Sequence, residues 1–157
     1  MIPVGRHLRR SAGWGASCLL VLCGAAPGPV CATEYKSIGP DPAILYDAPT
    51  TRGRKLAVAP RGMPLEIVVA QPDWVRVRDQ SGELSWIEKK ALSDKRTLIA
   101  TALAAVHTAA DESAPVLFRV QPGVLLELLD PPSNGFAHVR HRDGQSGWVR
   151  LADLWGT

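Results

Sequence analysis

Apolar and charged residues alternate in two stretches of the chain, Val75-Arg76-Val77-Arg78 and Ala137-His138-Val139-Arg140. Period two puts Val75 and Val77 on one side of an extended chain and Arg76 and Arg78 on the other, the pattern of a half-buried strand. A mostly apolar run of strand length precedes each stretch: Leu65-Glu66-Ile67-Val68-Val69 and Leu125-Leu126-Glu127-Leu128-Leu129. Turn clusters follow each, Gln80-Ser81-Gly82-Glu83 and Arg142-Asp143-Gly144-Gln145, with a glycine placed to accept positive φ. The chain then resumes with Trp86-Ile87 and Trp148-Val149. This predicts strand, turn and strand, twice. No window carries a sustained amphipathic helix.

The two stretches belong to one internal repeat. Trp74 to Gly82 and Trp86-Ile87 are answered 62 residues later by Phe136 to Gly144 and Trp148-Val149. Gly62-Met63-Pro64-Leu65-Glu66-Ile67 is answered by Gly123-Val124-Leu125-Leu126-Glu127-Leu128 at an offset of 61. Tyr46-Asp47-Ala48-Pro49 is answered by His107-Thr108-Ala109-Ala110. The one-residue slip falls in the loop after Ala70. Residues 98–110 are alanine-rich and tempt a helix assignment. Their repeat partner, residues 38–49, contains Gly39, Pro40 and Pro42, so both are expected to be extended. The chain is two copies of a module of about sixty residues, 33–96 and 97–157.

Gly-x-x-Leu-Glu-Ile, then Trp-Val-Arg-Val-Arg, a glycine turn, Trp-Ile and a final Leu resemble the bacterial SH3-like (SH3b) domain. More closely, the chain resembles periplasmic proteins built of two such domains after a signal peptide. Leu92-Ser93-Asp94-Lys95-Arg96 matches their joint, and Asp153-Leu154-Trp155-Gly156 matches their end. The resemblance covers nearly all of residues 38–157. It implies an all-β fold of two small, strongly bent antiparallel barrels. Two positions depart from the family. Ile44-Leu45-Tyr46-Asp47 stands where many members carry Asn-x-Arg, and Phe136 stands where a tryptophan is usual. A module this small buries only about 60% of its unfolded surface. The two barrels are therefore expected to pack on each other, with Trp155 as a plug against the first.

The N-terminal residues read as an address. Arg6, Arg9 and Arg10 precede an apolar run over residues 12–26, and Val30-Cys31-Ala32 puts small residues at −3 and −1 of a cut before Thr33. This is the pattern of a secretory signal peptide, expected over residues 1–32. The alternative is an uncleaved membrane anchor, but the run has roughly 15 residues where a spanning helix takes about 20. All three cysteines lie in it. The remaining chain has no thiol for a disulfide, a nucleophile or a metal. It holds fifteen bases and fifteen acids, so the surplus of +3 belongs to the precursor. A neutral exported protein lacks the basic surplus of a nucleic-acid binder. The expected location is the periplasm, as a monomer, with membrane contact only through an uncleaved leader.

Candidate chemistry is sparse. There is no Gly-x-Ser-x-Gly, and small barrels offer no deep cleft to raise a carboxyl pKa, so no catalytic residue is expected. His138 and His141 are three apart on a strand, which points them to opposite faces, and no metal or other cofactor is expected. The aromatics are more informative. In an SH3-like barrel the tryptophan opening one strand and the tryptophan before the last strand border a shallow groove. Such grooves hold extended peptides against aromatic walls. Tyr46, Trp74 and Trp86, flanked by Arg76 and Arg78, are the first-copy candidates. Phe136 and Trp148 are the second-copy candidates. The alternative for Trp86 and Trp148 is a lid on the core. The expected ligand is a cell-wall stem peptide or an extended peptide. The rival is a scaffold subunit of an envelope complex, with the aromatic edge as a protein interface.

Overall fold

The computed structural model describes residues 33–157, and the leader expected at residues 1–32 lies outside them. The first half forms β1 (Tyr35–Ile38), β2 (Ala43–Tyr46), β3 (Lys55–Ala59), β4 (Pro64–Ala70), β5 (Trp74–Arg78), β6 (Leu84–Glu88) and β7 (Leu92–Ser93). The second half repeats this as β8 (Thr97–Ala100), β9 (Ala104–His107), β10 (Val116–Val120), β11 (Leu125–Leu128), β12 (Phe136–Arg140), β13 (Ser146–Arg150) and β14 (Leu154–Trp155). A short 3₁₀ turn precedes the last strand of each half, at Lys89–Ala91 and Leu151–Asp153. Each half is one seven-stranded antiparallel sheet. The orders are β3-β2-β6-β5-β4-β1-β7 and β10-β9-β13-β12-β11-β8-β14. Residues 98–110 form no helix, as the repeat required: Ala100 lies on β8, Ala104 and Ala105 on β9, and Ala102, Ala109 and Ala110 in bends.

The alternation in the sequence becomes the inside and outside of each barrel. Along β5, Val75 and Val77 are buried and Arg76 is exposed; along β12, Ala137 and Val139 are buried and Arg140 is exposed. The first core holds Ile38, Leu45, Leu65, Val75, Val77 and Ile87. The second holds Leu98, Val106, Val120, Leu126, Val139 and Val149. The glycine turns behave as predicted. Gly82 has φ 89° and Gly144 φ 94°, in the left-handed region that a Cβ disfavours. Beside them the carboxylates of Asp79 and Asp143 accept backbone N–H groups of the same turn.

The two barrels pack on each other across a polar and aromatic waist. Trp155 of β14 meets Tyr35 of β1 edge to face, ring centroids 5.3 Å apart. Arg96, in the joint, lies 5.7 Å from the Tyr35 ring centroid and donates to the Gly156 carbonyl at 2.7 Å. The Thr97 N–H donates to the Ser37 hydroxyl at 3.0 Å, and the Thr97 hydroxyl donates to the Gly62 carbonyl. Lys95 reaches Glu127 at 2.9 Å. Three residues, Asp94 to Arg96, separate β7 from β8, and the last two of them are tied to the second barrel.

Candidate functional site

The registers line up one residue from each of five strands on the outer face of the first barrel. Val69 pairs with Arg76, Arg76 with Trp86, Trp86 with Tyr46, and Tyr46 with Lys55. Paired residues in antiparallel strands share a face. Trp86 therefore stands outside while its neighbour Ile87 enters the core. Trp74 begins β5 two residues before Arg76 and shares its face. Its ring meets Tyr46 edge to face at 5.4 Å, the geometry that ring quadrupoles favour. Tyr46 is only 6% exposed, whereas Trp74 and Trp86 are half-buried. Tyr46 is thus the floor and the tryptophans are walls.

A cleft of about 370 Å³ opens on the far side of Tyr46. Pro40, Pro42, Ile44, Tyr46, Glu88 and Lys90 line it among others. Glu88 and Lys90 pair at 2.9 Å, and this partner holds the Lys90 ammonium above the ordinary lysine value. The Pro40-Asp41-Pro42 loop and the Glu88–Lys90 pair were not among the sequence candidates. The two prolines were the available signal, but only the fold brings residue 40 beside residue 90.

The charged candidates separate. Arg78 makes two 3.0 Å hydrogen bonds to the Glu66 carboxylate. The second barrel repeats this pair as Arg140 with Glu127. Arg78 therefore ties β5 to β4. Arg76 is exposed and has no ion-pair or hydrogen-bond partner among the described residues.

The second barrel has the same frame with its polar groups paired to one another. The corresponding row reads His138, Trp148, His107 and Val116. His138 stacks on Trp148, centroids 4.7 Å and planes 14° apart, and its Nδ1–H donates to Asp130 at 2.6 Å. That indole face is covered. His107 takes the place of Tyr46, is 7% exposed, and donates from Nδ1 to the Ala114 carbonyl at 2.8 Å. Phe136, in the place of Trp74, is 7% exposed and packs on His107. Arg150, in the place of Glu88, is held by Asp153 and Glu112. His141 lies near Asp143, apart from the His138 pair. Among the described residues no three His, Cys, Asp or Glu side chains gather in a metal-binding arrangement.

Two bent antiparallel sheets with an aromatic outer face define a tandem of SH3-like modules. The family model described as "Bacterial SH3 domain" matches residues 39–94 and again residues 100–156. The chain belongs to the bacterial SH3 domain family. No curated protein matches it. Among solved structures it is similar to NlpC2 of Trichomonas vaginalis, with 16% identity, a TM-score of 0.37, and 78% of this chain and 48% of that chain covered. It is similar to NlpC1 of the same organism, with 15% identity, a TM-score of 0.36, and 87% and 50% covered. A Bacillus cereus NlpC/P60 family protein is similar at 17% identity and a TM-score of 0.36, with 78% and 56% covered. The chain spans about half the length of each of these proteins.

Proposed function

We propose that this protein is a periplasmic, non-enzymatic binding protein that holds an extended peptide on the outer face of its first barrel. The peptide is a cell-wall stem peptide or an extended segment of an envelope protein. One observation carries the reading. The first barrel leaves Trp74, Trp86 and Arg76 open beside a cleft lined by Tyr46; the second barrel keeps a similar cleft of about 310 Å³ beside His107, but it buries Phe136, stacks His138 on Trp148 and pairs His138 with Asp130. A preformed aromatic wall favours a ligand that is already extended, because little entropy is lost on docking. The second barrel then acts as a stabiliser, joined through the waist at Tyr35 and Trp155.

The test is sedimentation of the protein with purified insoluble peptidoglycan, with Trp74→Ala alongside. Sedimentation lost in the variant supports wall binding through the first-barrel face. If neither protein sediments, the wall ligand is excluded. A second reading, a protein–protein scaffold subunit of an envelope complex, draws support from β3. This edge strand exposes Leu56 at 44% and Val58 at 68%. An unpaired apolar edge is a template for a partner strand. Crosslinking in the periplasm, with capture of one stoichiometric partner, would favour it.

A further inference from the structure

The row across the first barrel carries a cation on each side of its aromatic pair. Arg76 on β5 pairs with Trp86, and Lys55 on β3 pairs with Tyr46. Both cations are exposed, and neither has a carboxylate partner among the described residues. Three other cations around this face are matched. Arg78 has Glu66, Lys90 has Glu88, and Arg54 has Asp47. The second barrel carries His138 and Val116 at these two places, with His138 already held by Asp130. The second barrel therefore has no such pair of unmatched cations along the matching row.

Arg76 and Lys55 stand three inter-strand steps apart, in the order β5-β6-β2-β3. Neighbouring strands are about 4.8 Å apart, so the span is about 14 Å. An extended peptide rises about 3.3 Å per residue, so positions i and i+4 are about 13 Å apart. Period two also puts i, i+2 and i+4 on one face of that peptide. We infer that the first-barrel face selects an acidic extended peptide with carboxylates at i and i+4 and an apolar residue at i+2. The peptide lies across the strands, its two carboxylates on Arg76 and Lys55 and its central side chain on Trp86 and Tyr46. This inference rests on the peptide-binding reading above.

The experiment titrates the protein with Glu-Ala-Leu-Ala-Glu, Gln-Ala-Leu-Ala-Gln and Glu-Glu-Leu-Ala-Ala, all with blocked ends, by tryptophan fluorescence and calorimetry at low salt. An exposed ion pair is worth about 0.2–1 kcal/mol, so each matched charge should tighten binding about threefold and both together about tenfold. Arg76→Gln and Lys55→Gln should each lose about threefold for the first peptide and nothing for the second. Both side chains are exposed, so thermal midpoints should stay unchanged. Salt should erase the preference. Equal binding of the neutral peptide, equal binding of the peptide with adjacent acids, or a preference surviving in the double variant would overturn the charge rule and leave peptide binding standing. If none of the three peptides binds, the peptide-binding reading fails as well.

Discussion

Gly147 offers a sharp test of how the two copies diverged. It sits on β13 immediately before Trp148 and is buried. A Cβ built there would lie 2.6 Å from Val106 Cγ1, 2.7 Å from the His107 carbonyl oxygen and 3.2 Å from Leu117 Cδ1. The first neighbour is a branched side chain that is 0% exposed, and the second is backbone of the adjacent strand. Neither can yield without moving β9 against β13. Overpacking of this kind costs about 1–3 kcal/mol, and a backbone obstacle puts Gly147→Ala near the upper end. For about 125 ordered residues, 1 kcal/mol is worth roughly 3–4 °C, so the midpoint should fall by about 6–12 °C. The repeat supplies the control. Ser85 occupies the matching place on β6 at 7% exposure, so Ser85→Ala should cost far less. Circular dichroism melts of both variants decide it. A Gly147→Ala midpoint within 2 °C of the parent would show that the barrel yields at this point and would falsify the packing argument. The same clash shifts Trp148 against His107, so the indole emission should change even below the melt.

Three further outcomes follow from the waist and the aromatic row. Limited proteolysis should spare residues 93–97, because Lys95, Arg96 and Thr97 are each bonded across the joint; clean cleavage there into two folded halves would contradict the packed arrangement. Lys95 and Arg140 hold the Glu127 carboxyl below its ordinary value of 4.5, so its contribution is complete above that pH and is lost as pH falls through the lower folded value. Glu127→Gln should accordingly flatten the fall in thermal midpoint between about pH 5 and pH 2, and an unchanged slope would remove this group from the acid transition. Phe136→Ala should cost about 3–5 kcal/mol as a buried aromatic and leave first-barrel binding intact, whereas Trp74→Ala should lose binding with the smaller stability loss. Equal losses of affinity in the two variants would overturn the division between the barrels.

The repeat, the strand alternation and the glycine turns were legible in the amino-acid order because each is a local rule. Val75 and Val77 had to face one way and Arg76 the other whatever the rest of the chain did. The repeat then carried the assignment of residues 98–110 as extended, which local composition alone would have made helical. The aromatic candidates Tyr46, Trp74 and Trp86 were legible as residue types. Their division into floor and walls was not, because it depends on which strands pair and in what register. The same holds for the arginines. Arg76 and Arg78 are equivalent in the pattern, yet cross-strand neighbours give one a carboxylate and leave the other open. Tertiary structure alone decided that Lys55 joins the row, that residue 40 meets residue 90 in the cleft, and that His138 covers Trp148. These are contacts between strands distant in sequence, and no periodicity within one strand encodes its neighbour.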